Sequence, residues 1–276
     1  MPSRRADGQA AGVPRLVTTL DQVRAAIVAC DRCPRLRTYC QQVGREKRRA
    51  FAEETYWAKP VPGFGDPGAR LLILGLAPAA HGANRTGRVF TGDGVGASGD
   101  FLMAALHRAG FSNLPTSRHP QDGLRLTDAY VAAAVRCAPP ENKPTPVEIS
   151  SCLEHLDAEL QALPNVRIVV ALGKIAFDAY LQLLRRRGIV MRPRPRFEHG
   201  AIAMLPDRTT LLSAYHPSRQ NTNTGKLTPQ MMADVFLAAR RCLGAEPSSG
   251  GGVKPGVTRR LRESVSAGRG GRRIVD

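Results

Sequence analysis

The sequence predicts an α/β protein, a three-layer α/β/α sandwich around a central, mostly parallel sheet of about four strands. Short apolar runs of strand length occur four times in the chain. A segment with the apolar spacing of a helix follows each run, and loops rich in Gly, Pro and Asn separate them. Strands that alternate with helices pair in parallel, because each helix carries the chain back across the sheet.

The individual elements follow from these patterns and from helix-start signals. The predicted strands are residues 71–74, 130–135, 166–172 and 210–214. The predicted helices are residues 19–30, 98–109, 146–160, 174–187 and 229–243. Thr18 or Thr19, Thr145 and Thr228 precede three of these helices, where a threonine hydroxyl can accept a free backbone N–H. Residues 35–67 show neither period, and we expect them to be irregular.

The chain divides into one domain and two tails. Its 276 residues are enough for one substantial α/β domain but not for two. All predicted elements lie in residues 16–244, which we expect to form that domain. Residues 1–15 are small and polar and predict a disordered arm. The sequence EPSSGGGVKPG resembles a linker, so we expect residues 245–276 to be a flexible basic tail.

Charge and composition limit the class of partner. Forty Lys and Arg against twenty-three Asp and Glu give a formal charge of +17, mostly from arginine, which favours a polyanion such as nucleic acid. No apolar run of about eighteen residues occurs. The segment MPSRRADGQAAG lacks the apolar centre of a signal peptide. We therefore expect a cytoplasmic protein that does not contact membranes, in which the six cysteines are ligands or buried thiols.

Four cysteines have the spacing of a metal site. Cys30 and Cys33 form a C-x2-C pair, and fourteen residues separate Cys137 from Cys152. A right-handed crossover between a strand and its helix can bring the second pair to one place. Four thiolates suit either zinc or an iron-sulfur cluster, and spacing alone does not choose between them. Cys40, in a basic segment that we expect to be exposed, and Cys242 have no partner at ligand spacing.

Polar and aromatic side chains gather in the loops that follow three predicted strands. Because the carboxyl ends of parallel strands lie at one edge of a sheet, these loops should converge there. The loop after the first strand contains the only carboxylate of its segment, Asp93. The other candidates in the three loops are His81, Arg85, Arg88, Phe90, Asn142, His216, Ser218 and Arg219. A histidine that faces a carboxylate across a crevice is a plausible catalytic pair.

Three motifs together resemble a known family. They are GLAPAAHGANRTGRVFTGD, the HPS loop with NTNTGKLT after it, and the four-cysteine spacing. They resemble family 5 of the uracil-DNA glycosylase superfamily, the iron-sulfur type often called type B, over residues 16–244. Most other members carry a polar catalytic residue just after the first strand, where this chain has Ala77, Pro78 and Ala79. Its second strand reads VAAAV and lacks their base-reading asparagine, for which Asn142 is the available substitute.

The resemblance implies an activity and a set of roles. It implies a base-excision repair glycosylase, a monomer that hydrolyses the N-glycosidic bond of flipped-out uracil and other modified bases in double-stranded DNA. Asp93 would orient water and stabilise the sugar cation, and His216 would donate a hydrogen bond to the leaving base. Phe90 would stack on that base, and backbone amides near Ala77 and Ala79 would add donors. The implied phosphate contacts are Arg85, Arg88, Ser218 and Arg219. Cys30, Cys33, Cys137 and Cys152 would bind a [4Fe-4S] cluster.

Two other functions are compatible with part of the sequence. A non-catalytic nucleic-acid-binding module stapled by zinc would account for the charge, the cysteines and the basic tail. It would leave Asp93 and His216 unexplained. An electron-transfer protein would need neither the Gly-rich loop nor the HPS segment.

Overall fold

A computed structural model describes residues 19–244 and the backbone of residues 258–260. The predicted disordered arm and most of the predicted tail lie outside the described residues. The described strands form one sheet in the order β1-β3-β2-β4-β6-β5-β7. They are β1 (Phe64–Gly65), β2 (Leu71–Gly75), β3 (Ala129–Ala133), β4 (Ile168–Leu172), β5 (Ala201–Met204), β6 (Thr210–Ala214) and β7 (Thr258–Arg260).

The centre of the sheet confirms the predicted parallel core. Strands β3, β2, β4 and β6 pair in parallel, and Leu71 of β2 lies opposite Ala129 on one side and Ile168 on the other. The strands β1, β5 and β7 are antiparallel and were not predicted. They have two to four residues each, too few for a periodic signal. Strand β7 lies within the segment predicted to be a flexible tail.

Five helices confirm the predicted ones, and three of them begin with the expected threonine caps, since the Thr228 hydroxyl also accepts the Met231 N–H at 3.2 Å. The described α-helices are α1 (Leu20–Val28), α2 (Pro34–Glu46), α3 (Ala83–Thr86), α4 (Ser98–Arg108), α5 (Pro146–Ala162), α6 (Lys174–Arg186), α7 (Arg219–Asn223) and α8 (Pro229–Gly244). Thr19 caps α1 and Thr145 caps α5, in each case with a Gln or Glu at the third helical position that bonds back. Among the described helices, none is long and apolar enough to cross a membrane.

Helix α2 corrects the expectation that residues 35–67 are irregular. It begins with Pro34 in its first turn, where the missing N–H costs nothing. Leu36, Cys40 and Val43 form its buried stripe, with helical spacing of four and three residues. Arginines and glutamines surround this stripe and mask it in the sequence. The expectation that Cys40 is exposed was wrong, because its side chain is fully buried.

Helices cover both faces of the sheet. Alternate residues of each strand point to opposite sides, so Ile73 lies in one core cluster and Leu72 in the other. Helices α4 and α8 complete the first cluster, which includes Leu102 and Phe236. Helices α5 and α6 complete the second, and α1 packs on α5. A third, smaller cluster contains Cys40, Cys137 and Cys152, with Cys33 packed against it.

A fully buried ion pair joins the end of β3 to α5. The Arg136 guanidinium donates to both carboxylate oxygens of Glu159, at 3.0 and 2.5 Å, and both side chains are about 1% exposed or less. The Tyr130 hydroxyl and the Gly63 backbone N–H also donate to this carboxylate. Buried charges are tolerated when paired and hydrogen-bonded in this way.

We expect the Glu159→Ala variant to lose about 3 to 5 kcal/mol of stability, because it leaves the Arg136 charge buried and unpaired. For a domain of this size the unfolding midpoint should fall by about 10 °C or more. The matched control is Asp157→Ala. Asp157 lies on α5, as Glu159 does, and its ion pair with Arg187 is partly exposed. Calorimetry measures both, and equal shifts in the two variants would contradict the assignment.

Candidate active site

The loop between β2 and α4 is held by a buried arginine. Arg85 donates from Nε to the His81 carbonyl at 2.9 Å and from Nη2 to the Gly92 carbonyl at 2.7 Å. It also pairs with Glu54, and its guanidinium lies 3.9 Å from the centre of the Phe51 ring. These contacts tie together the two ends of residues 81–92, the segment that precedes Asp93. Because Arg85 is buried in these contacts, its guanidinium is better suited to position the loop than to make the predicted phosphate contact.

Arg88 is buried in the same way. Its guanidinium donates to the hydroxyls of Thr91 at 2.9 Å and Ser117 at 3.1 Å, and it pairs with Asp122 at 2.7 Å. The ion pair and three backbone N–H donors hold the pKa of Asp122 at about 2, although burial raises it. These contacts fasten the loop to residues 117–122. The geometry therefore does not favour the predicted phosphate contact of Arg88 either.

Asp93 is half-buried at the end of this loop. A Cβ on Gly82 would lie 1.6 Å from its Oδ1, so the carboxylate rests on the bare backbone of a glycine. Burial raises the pKa of Asp93 to about 6, while the charges of Arg85 and Arg219 oppose the rise. The carboxylate is thus ionised at neutral pH but titrates close to it.

Phe90 connects the two principal loops. Its ring lies over Gly75 at the end of β2, where a Cβ would stand 2.8 Å from Cε2. Its backbone has a φ of 53°, which few residues other than glycine adopt. The centre of its ring is 6.0 Å from that of the His216 ring, with 31° between the planes. The structure therefore brings the predicted stacking residue and the predicted donor together.

His216 follows β6 in a tight turn. The backbone N–H of Ser218 and the amide of Asn221 both donate to its carbonyl at 2.8 Å. Burial lowers the pKa of His216 to about 4, so the imidazole is neutral at pH 7. Among the described residues, none hydrogen-bonds to its ring nitrogens, and one ring N–H is available to a ligand.

Ser218 and Arg219 begin the short helix α7. The Ser218 hydroxyl accepts the N–H of Asn221 and caps the helix. Arg219 is exposed, and within the described part of the chain no hydrogen bond or ion pair engages its guanidinium. That group lies close to the Asp93 loop, 3.6 Å from where a Cβ on Gly94 would stand. Of the three predicted arginine contacts, Arg219 is the one free to meet an anion.

The remaining predicted residues lie at different depths. The Ala79 carbonyl accepts the N–H groups of Gly82 and Asn84, and Ala77 packs against the cysteine cluster. Asn142 is exposed in the loop after β3 with a φ of 58°, and its side chain bonds to no described residue. The structure does not bring it against Asp93 or His216 through any described contact.

Sequence reasoning missed a partner of this loop. The hydroxyl of Tyr56, a buried residue, hydrogen-bonds to His81 Nδ1 at 3.0 Å. Burial lowers the pKa of His81, and the charges of Arg48 and Arg85 add to the effect. The segment before β1 thus supports the wall of the site. Nothing in the sequence marks this pair, because it depends on an irregular segment folding back.

The cysteines converge from three parts of the chain. Burial and the neighbouring Cys152 and Cys137 raise the pKa of Cys33 to about 11. Arg32 Nε donates to Cys30 Sγ at 3.4 Å, and the same guanidinium pairs with Glu154 of α5. All six cysteines are free thiols. In residues 19–244, no group of three or more His, Cys, Asp or Glu side chains is arranged to hold a single metal ion.

The fold and the site together define a class of protein. A sheet with a parallel centre and helices on both faces carries a carboxylate, a neutral histidine and an aromatic ring at one edge, as in enzymes that bind ligands beyond the strand ends. The model of the uracil DNA glycosylase superfamily matches residues 62–240, and the chain belongs to that superfamily. The matched range contains Asp93 and His216 but not Cys30 and Cys33.

Named relatives match a longer part of the chain. The chain is 53% identical over 218 residues to a type-5 uracil-DNA glycosylase of Thermus thermophilus, covering 79% of this chain and 95% of the relative. It is 50% identical over 226 residues to one of Mycobacterium tuberculosis, covering 82% of each. It is 42% identical over 213 residues to one of Pyrobaculum aerophilum, covering 77% and 88%. The resemblance drawn from the motifs is confirmed.

We expect the carboxyl carbon of Asp93 to titrate with a midpoint near pH 6 in an NMR experiment. Replacing Arg219 by Gln should raise that midpoint, because it removes a positive charge that favours the carboxylate. Arg187→Gln, at the residue that follows α6, is the control and should leave the midpoint in place. A midpoint near 4 in the unmodified protein would contradict the burial of this group.

Proposed function

We propose that this protein is a DNA-repair glycosylase that hydrolyses the N-glycosidic bond of uracil and of other deaminated or modified bases in double-stranded DNA. The observation that carries the proposal is the pair of loops that presents an ionised carboxylate, Asp93, and a neutral histidine, His216, at one sheet edge. The names of the relatives support uracil as substrate. Cytoplasmic location and a monomeric state stay predictions from the sequence.

The proposed reaction separates two charges. The bond between the sugar and the base nitrogen breaks, water adds to the sugar carbon, and a proton is left for the departing base. Asp93, ionised above about pH 6, stabilises the sugar cation and accepts a hydrogen bond from the attacking water. Gly82 leaves room for the carboxylate to reach this position.

His216 acts on the opposite charge. Its neutral ring donates an N–H to the base oxygen where negative charge develops, and such a donor is worth most in a site shielded from water. Phe90, held beside it, stacks on the extruded base. The backbone near Ala77 and Ala79 is the proposed source of further donors. Strand β3 has no asparagine to read uracil, and Asn142, the available substitute, is exposed. The pocket should therefore accept several bases.

Contacts to the DNA backbone are proposed for α7 and for a basic groove. Ser218 and Arg219 lie at the rim of the site. A groove of about 720 Å³ beside Cys30 is lined in part by Arg24, Arg37 and Lys59. Cations in these positions suit phosphate, which carries most non-specific affinity for DNA.

The four cysteines are proposed to hold a [4Fe-4S] cluster. Free thiols that influence one another, from the turn between α1 and α2, from the segment after β3 and from α5, form a donor set of the right chemistry. A [4Fe-4S] cluster is held by four such thiolates. When bound, it would supply a cross-link between the N-terminal helices and the sheet. Ala77 would carry that rigidity to the site loop.

A release assay tests the function directly. Duplexes that contain uracil, hypoxanthine, xanthine, hydroxymethyluracil or ethenocytosine are incubated with the protein, and strand cleavage after alkali reports abasic sites. We expect release of uracil and of at least one other base. Binding of every duplex without any base release would instead favour the non-catalytic module.

Replacing Cys30, Cys33, Cys137 or Cys152 by Ala should lose iron and destabilise the fold, because each removes one thiolate of the set. Cys242→Ala, outside the cluster, should retain iron. Iron analysis and the visible absorbance of the purified proteins measure both. Full iron content in Cys152→Ala would refute the ligand assignment.

Variants of the catalytic pair should separate their roles. Asp93→Asn should slow base release for every lesion by a similar factor, because it acts on the sugar and the water. His216→Ala should cost about 100-fold or more with poor leaving groups and less with acidic bases, which need less help from a donor. Single-turnover rates plotted against the acidity of the released base should give a steeper line for His216→Ala only. Equal slopes for both variants would show that the roles are not divided in this way.

A further inference from the structure

Two buried side-chain nitrogens beside the cysteines have no hydrogen-bond partner among the described residues. They are Nε of Arg136, the residue before Cys137, and Nε2 of His155. The Arg136 side chain is about 1% exposed, and Glu159 engages only its two Nη atoms. Folded proteins rarely leave buried polar atoms unpaired, so each such atom indicates a water or a ligand that completes it.

His155 lies on the face of α5 that carries Cys152. The two residues are three positions apart on the helix, which makes their side chains neighbours. The charges of Arg32 and Arg136 both act on His155, and Arg32 Nε also donates to Cys30 Sγ at 3.4 Å. Arg136 in turn acts on the thiol of Cys152. His155 therefore shares its charged neighbours with two of the four cysteines proposed as cluster ligands.

The ring of His155 is neutral at pH 7. Burial, together with the positive charges of Arg32 and Arg136, lowers its pKa to about 4, against the opposing charge of Glu154. A neutral imidazole carries one N–H. On Nε2 that N–H meets no acceptor in the described chain. The sulfur atoms of an iron-sulfur cluster are acceptors, and hydrogen bonds to them help to set its reduction potential.

We propose that His155 donates its Nε2–H to a sulfur atom of the [4Fe-4S] cluster, Cys152 Sγ included, and so makes the cluster harder to oxidise. The inference rests on the cluster that belongs to the proposed function. An N–H donor stabilises negative charge on sulfur, and the more reduced state of a cluster carries more of that charge. Without the donor, the cluster gives up an electron more readily to an oxidant such as ferricyanide, which is reduced to ferrocyanide.

The contact can be detected by pulsed EPR of the iron-loaded protein, isotopically labelled at the nitrogens of its histidines. Irradiation of the frozen solution adds an electron to the cluster and makes it paramagnetic. We expect a coupling between the cluster spin and a histidine nitrogen. His155→Leu should abolish this coupling. His119→Leu, which removes an exposed histidine, is the control and should retain it.

Two substitutions of the same residue separate the hydrogen bond from packing. His155→Gln keeps a side-chain N–H, whereas His155→Leu keeps apolar volume without a donor. Loss of the visible absorbance of the cluster is followed after ferricyanide is added. We expect His155→Leu to lose its cluster about tenfold faster than the unmodified protein, because removal of an outer-shell partner typically costs that much. His155→Gln should stay close to the unmodified protein.

The outcomes separate this inference from the cluster on which it rests. Absence of a histidine coupling in the unmodified protein would overturn it, because water would then satisfy Nε2. Equal rates in His155→Leu and His155→Gln would also overturn it, because the ring would then act by packing. If His155→Leu does not fold, loss of the coupling in labelled His155→Gln decides. A purified protein without iron would reject the proposed cluster itself.

Discussion

The buried pair of Arg136 and Glu159 is the interaction on which the arrangement of the site most depends. It joins Arg136, which follows β3, to Glu159 near the end of α5, and the same carboxylate receives donors from Tyr130 and Gly63. Cys137 is the next residue, and Cys152 lies two turns earlier on α5. The geometry of two cysteines is thus fixed by a charge pair that forms without any metal, and a bound cluster would meet a partly organised set.

The site loop has a comparable internal frame. Arg85 and Arg88 use their guanidinium groups to bind carbonyls, hydroxyls and carboxylates of the loop and its neighbours. This frame supports two residues in unusual settings, Phe90 with a positive φ and Asp93 with a raised pKa. Such settings cost free energy and persist only where surrounding contacts hold them. The frame helps to hold Asp93 in the position where burial raises its pKa, although the charge of Arg85 opposes that rise.

The sequence was sufficient for the regular part of the fold. The four parallel strands and five helices have clear periods and caps, and these signals are local. Helix α2 was missed because its apolar stripe is narrow among arginines, and Cys40 was misplaced with it. The strands β1 and β5 are too short to predict, since they exist only because a neighbouring strand offers free backbone groups. The contact between Tyr56 and His81 also depends on the tertiary fold, so no local signal predicts it.

Residue type alone could not show which arginines are bound within the protein and which one is left to contact phosphate. Arg85, Arg88 and Arg219 lie in motifs of similar composition, and all three were predicted to contact phosphate. In the structure two are buried and satisfied internally, while Arg219 is exposed with no partner among the described residues. The difference arises because the fold brings carbonyls and carboxylates to Arg85 and Arg88. These partners are distant in sequence or are backbone groups that a motif does not show. The formal charge of +17 therefore overstates what these loops offer to DNA, and affinity must depend on the cations that the fold leaves unpaired.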